Sequence, residues 1–115
     1  MTNLELQKKA LQIRRDIIRG THAAKAGHPG GALSSAEVFA FLYFEEMNVD
    51  ANNPNMPTRD RFVLSKGHSA PGLYSALALK GFFPREDILT LRHIGSHLQG
   101  HPTLTSLCRK SAEYF

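Results

Sequence analysis

Six histidines stand in the chain, and three of them sit on glycine turns: Gly27-His28-Pro29, Gly67-His68-Ser69 and Gly100-His101-Pro102. A neutral imidazole both donates and accepts hydrogen bonds and titrates near neutrality, so it suits proton handling and contact with hydroxyls or anionic oxygens. One loop histidine is commonly no more than a solvated side chain. Three on similar turns in a short chain point to a polar site assembled from loops.

The richest of these stretches covers residues 60–72, Asp-Arg-Phe-Val-Leu-Ser-Lys-Gly-His-Ser-Ala-Pro-Gly. The run Phe62-Val63-Leu64 is too short for a helix and fits a buried strand of a parallel sheet. Gly67 then allows a tight turn, Ser69 is a good helix N-cap, and Pro71 fits a first helical turn. The N–H groups and positive dipole end of such a helix can hold a phosphate, with His68 in the loop that faces it. The plainer alternative is an ordinary strand-to-helix turn that happens to carry a histidine.

His93, His97 and His101 recur at intervals of four, which would place them on one face of a helix and suggest a metal. Gly95, Gly100 and Pro102 argue against a helix there. No carboxylate or thiolate completes a ligand shell for zinc or nickel, so no metal ligands are assigned.

Stepping outward to the elements that must position these turns, 115 residues make about one domain, short for a many-stranded α/β enzyme. Apolar residues at 42% and charged residues at 21% are globular values. Lys and Arg exceed Asp and Glu by 14 to 10, spread without a block, which gives solubility and some attraction for anions but no nucleic-acid footprint. The single Cys108 excludes an internal disulfide, and no apolar run approaches the length of a membrane span. A soluble cytoplasmic protein is the expectation, with no nucleic-acid or membrane partner.

From about residue 3 to 26 the pattern is helical: Leu6, Ala10, Ile13 and Ile17 form one apolar row, Leu4, Leu11 and Ile18 a second beside it. Lys8, Lys9, Arg15 and Arg19 lie opposite, as a solvated face. Gly20 interrupts the helix and implies a bend or a close backbone approach. The loop 27–31 stops it. Ser34 and Glu37 read as a capping box with Leu33 and Val38 as its hydrophobic staple, opening an apolar helix to about Met47. A loop over 48–58, the strand at 61–64, a helix ending at Gly81 and a short helix opened by Pro84 complete the order. The expected class is α/β, mostly helical, with that one short strand.

The stretches Lys25-Ala-Gly-His-Pro-Gly-Gly31, Asp60-Arg-Phe-Val-Leu-Ser-Lys-Gly-His-Ser69, Leu73-Tyr-Ser-Ala-Leu77 and Gly100-His-Pro102 resemble, in order and separation, the amino-terminal thiamine-diphosphate-binding part of transketolase. The resemblance covers residues 4–102 and is closest to the short amino-terminal subunit of split enzymes. It implies a partial thiamine-diphosphate-binding fold, transfer of a two-carbon ketol unit from a ketose phosphate to an aldose phosphate, and Mg²⁺ beside the cofactor. It further implies that His28 and His101 contact substrate near the thiazolium, that His68 contacts the diphosphate, and that Gly67 and Gly100 belong to the cofactor site. Sugar phosphates, a carboxy-terminal transketolase subunit and a homo- or hetero-oligomer are the partners implied.

After the third histidine the family continues into a glycine-rich segment and a Gly-Asp-Gly motif that holds Mg²⁺. All nine glycines here lie between Gly20 and Gly100. Residues 1–102 are therefore expected to form the family-like part and 103–115 an unmatched tail, a truncation or change of frame, with the chain inactive alone. The alternatives are a non-catalytic truncated product, or a small basic helical module that binds nucleic acid or another anion. A chain with one strand is also expected to leave apolar helix faces uncovered.

Overall fold

The computed structural model describes residues 1–100. Helix α1, Asn3–Ala24, opens with a capping box that the sequence reading missed: Thr2 Oγ1 accepts from the Glu5 N–H at 3.2 Å, and Glu5 Oε2 accepts from the Thr2 N–H at 2.8 Å. That bond from the Thr2 backbone holds the Glu5 carboxyl below its ordinary value. Of the two apolar rows, Ala10, Ile13 and Ile17 are buried, whereas Leu4, Leu11 and Ile18 stay exposed at 60%, 46% and 50%. The helix ends at Lys25, in a left-handed conformation, two residues before the histidine turn begins.

Residues 29–31, expected as loop, belong instead to the short helix α2, Pro29–Leu33, because Pro29 presets φ at its first position. Helix α3, Ala36–Phe41, follows and widens into a π turn, Leu42–Glu46, so the apolar body reaches about Met47 as expected. The expected capping box does not form. Ser34 Oγ donates to the Gly31 carbonyl at 2.8 Å, which closes α2 instead of opening α3. Val38 is 54% exposed and so staples nothing.

The central element is α4, Ala70–Lys80, with residues 70–78 all buried. A helix apolar on every side must be wrapped on every side, and α1, α3 and a 3₁₀ helix, Arg85–Thr90, surround it. Gly72 lets α3 close in, since a Cβ there would overlap the ring of Phe39. Gly81 ends α4 at φ 109°, the C-terminal stop that the sequence indicates. Gly20 is the expected close approach: a Cβ would lie 2.9 Å from Ile88 Cγ1 and 3.1 Å from the Ile88 carbonyl oxygen.

No strand occurs among the described residues, so the expected strand at 61–64 is corrected. Its side chains still alternate as a strand's would. Phe62 and Leu64 pack on the main core while Val63 is 82% exposed. A strand is defined by its ladder, and among the described residues no segment pairs with this one. The expectation of uncovered apolar helix faces holds for the second row of α1 and for Val38 and Phe41.

An ion cluster around the buried Asp16 ties the first helix to the last. Asp16, 1% exposed, accepts from Arg85 Nε at 3.0 Å and Nη2 at 3.1 Å, and from Arg19 Nη1 at 3.1 Å. The bidentate Arg85 contact fixes the 3₁₀ helix on α1.

Candidate functional site

The turn at Gly67–Ser69 is 3₁₀, and its N–H groups are partly committed. Ser69 N–H bonds the Lys66 carbonyl at 2.9 Å, Ala70 N–H bonds the Gly67 carbonyl, and Pro71 has none to give. The start of α4 thus offers fewer free donors than its sequence suggests, and any hold on an anion falls mainly to side chains. Ser69 occupies the cap position but makes no capping bond. Its Oγ is fully buried and has no hydrogen-bond partner among the described residues.

The structure brings His28 and His68 together from 40 positions apart, their exposed rings edge to face with centroids 5.6 Å apart. Gly31 makes this proximity sterically feasible. A Cβ on Gly31 would stand 3.1 Å from His68 Cδ2, His68 Nε2 and Ser69 Oγ alike. Behind the rings, the Gly31 carbonyl accepts from Ser34 Oγ at 2.8 Å, Lys66 Nζ at 3.2 Å and Ser35 Oγ at 3.3 Å. Two imidazoles, one orphaned hydroxyl and one ammonium thus gather around a glycine.

Gly67 belongs to this turn by sequence. Gly100 lies elsewhere, where a Cβ would stand 3.4 to 3.6 Å from the Arg92 guanidinium atoms. The segment leading to it is tethered to α4 all the same, because Tyr74 Oη donates to the Gln99 carbonyl at 2.7 Å. His101 and the tail 103–115 lie outside the described residues. His93 and His97 fall in non-helical chain, as the glycines indicate. His97 pairs with Asp87 at 3.0 Å and meets the Phe83 ring, and no metal-binding cluster is found among the described residues.

The family model described as "Transketolase, thiamine diphosphate binding domain" matches residues 7–110. The chain belongs to the transketolase family. Its match runs past Pro102, where the motif resemblance ends, to Lys110. It is 49% identical over 98 residues to the 6-deoxy-6-sulfo-D-fructose transketolase subunit of Clostridium sp. strain MSTE9, covering 85% of this chain and 36% of that protein. It is 47% identical over 97 residues to mouse transketolase, covering 84% of this chain and 16% of that one. A Pichia stipitis transketolase solved in complex with sedoheptulose 7-phosphate superposes with a TM-score of 0.82 at 37% identity, over 89% of this chain and 15% of that chain.

The chain therefore spans about a third of the subunit and about a sixth of the full-length transketolases it matches. The α/β class is the family's, and this part of it is the helical part. Of thiamine diphosphate, the residues present fit the anionic end: an exposed imidazole pair, a buried hydroxyl without a partner and a glycine that clears room between them. They do not supply a Mg²⁺ shell among the described residues, which need several oxygen ligands for that ion. Sequence reasoning singled out both histidines but gave no role to Gly31, Lys66 or Tyr74. Lys66 and Gly31 lay inside the motifs that carry the resemblance, yet their contact spans 35 positions and has no local signature.

Proposed function

We propose that this chain is the amino-terminal part of a transketolase that moves a two-carbon ketol unit from a ketose phosphate to an aldose phosphate. It acts in the cytoplasm, together with a carboxy-terminal transketolase subunit. The observation that carries the reading is the meeting of His28 and His68 at one opening beside Gly31, in a chain that belongs to this family.

Thiamine diphosphate, when bound, supplies the carbon nucleophile and the electron sink. The chain's residues supply placement and proton handling. His68 would hold the diphosphate through a ring N–H, with Gly67 in the same turn; Gly100 would join the cofactor site by family resemblance. His28 and, by family resemblance, His101 would hydrogen-bond the sugar hydroxyls and oxygen, each imidazole able to give or take a proton at a ring nitrogen.

Calorimetric titration of the folded chain with thiamine diphosphate and Mg²⁺ tests the reading. Binding is expected, and His68→Ala should weaken it by about tenfold, the effect of one hydrogen bond to a charged group. Equal affinity in the variant, or no binding by a chain whose circular dichroism shows it folded, would overturn it.

A further inference from the structure

We infer that Lys66 is a positioning residue: it clamps α2 to the His68 turn and so sets the distance between His28 and His68. The inference deepens the function proposed above and rests on it for its relevance to the cofactor. Lys66 stands immediately before Gly67-His68, and Gly31 three residues after His28. The Lys66 Nζ atom bonds the Gly31 carbonyl at 3.2 Å and Ser34 Oγ at 3.3 Å, joining chain segments 35 and 32 positions apart.

The Gly31 carbonyl lies in the last turn of a five-residue helix, where carbonyls lack intrahelical partners and a cation is favoured. Three donors converge on it. Ser34 and Ser35 come from the same stretch of chain and close the helix end locally; of the three donors Lys66 is the one from another element, adding a polar tie to the packing of α2 on α1 and α4. With the carbonyl held from the Lys66 side, the open α-carbon of Gly31 faces His68 and Ser69. The ring pair then rests edge to face at 5.6 Å and 84°. Three small features act in one direction: no side chain on Gly31, a long flexible donor on Lys66, and a turn too short to adjust between Lys66 and His68.

The experiment is nuclear Overhauser spectroscopy of the ring protons of His28 and His68 in the full chain, comparing wild type, Lys66→Met and Lys66→Arg, with melting temperature and thiamine diphosphate affinity measured alongside. Lys66→Met keeps the length of the stem and removes the donor. The ring-to-ring cross-peak should be present in wild type, lost in Lys66→Met, and restored in Lys66→Arg, which keeps both donor and charge. The melting temperature should hardly move, because the clamp is exposed. Affinity should fall by about tenfold in Lys66→Met, comparable to the loss expected for His68→Ala. A cross-peak that persists in Lys66→Met overturns the clamp, as does one that Lys66→Arg fails to restore. A cross-peak lost while thiamine diphosphate binding stays unchanged supports the clamp and overturns instead the role given to the histidine pair.

Discussion

The two apolar clusters that share α4 are built differently. The larger joins α1, α2, α3 and α4 through Ile13, Ile17, Phe39, Tyr43, Leu73 and Leu77, and it gathers Phe62 and Leu64 at its margin. Helix-on-helix packing forms its centre, and the non-helical Phe62, Leu64 and Phe82 close it. The smaller joins Ala70, Tyr74, Ile88, Leu91 and Leu98, and most of it comes from the 3₁₀ helix and the irregular chain after it. Polar bonds hold that chain: Arg85 to Asp16, His97 to Asp87, and Tyr74 to the Gln99 carbonyl. The first cluster carries the helices that the histidine turns hang from. The second carries the loop that leads to Gly100.

Gly72→Val should separate the two most sharply. The side chain would enter the Phe39 ring, itself 1% exposed and without room to retreat. Overpacking at such a site costs about 3 kcal/mol or more, which outweighs the roughly 1 kcal/mol that glycine forfeits within a helix. Chemical denaturation should show the whole chain destabilised, because the larger cluster fails. A variant as stable as wild type would mean that α3 and α4 do not meet here.

Arg85→Met comes next and strikes the smaller cluster. Asp16 would remain buried with Arg19 alone, and the loss of two charge-assisted bonds from a partly exposed guanidinium should cost about 2 kcal/mol. Amide hydrogen exchange should then rise over residues 85–99 while α3 and α4 keep their protection. Equal loss of protection in both regions would show that the two clusters unfold as one unit.

This division was only half legible in the sequence. The apolar period of α1, the buried α4 with its Gly81 stop, and the close approach at Gly20 all follow from local pattern. So does the singling out of the glycine-borne His28 and His68, whose rings meet. What escaped was decided by long-range contacts. Ser34 had the spacing of a capping residue, yet its hydroxyl closes α2. Ser69 had the chemistry of an N-cap, yet it is buried beside Gly31 without a partner. Residues 61–64 have a strand's alternation, but a ladder requires a neighbour, and no pattern within four residues can say whether one is present. Asp16 looks like a surface residue of an amphipathic helix until Arg85, 69 positions away, covers it.

The smallest effects come from two buried tyrosines, one in each cluster. Tyr43, in the larger, has a hydroxyl with no hydrogen-bond partner among the described residues, whereas that of Tyr74 holds the Gln99 carbonyl. Removing an unsatisfied buried hydroxyl relieves a desolvation cost, and removing a satisfied one strands its partner. Tyr43→Phe should therefore be neutral or slightly stabilising, and Tyr74→Phe should cost about 1 kcal/mol. Burial also pushes both phenols well above their ordinary range, opposed at Tyr43 by the nearby Arg59 charge. A folded-state value raised above the unfolded one means that the protonated phenol is favoured by folding. Its contribution is complete below the unfolded value of about 10 and is lost as pH climbs beyond it. Denaturation midpoints measured from pH 8 to 11 should fall above about pH 10 in wild type and fall less in each single phenylalanine variant. If Tyr43→Phe proves as costly as Tyr74→Phe, the Tyr43 hydroxyl has a partner, and the larger cluster is not the purely apolar unit that its packing implies.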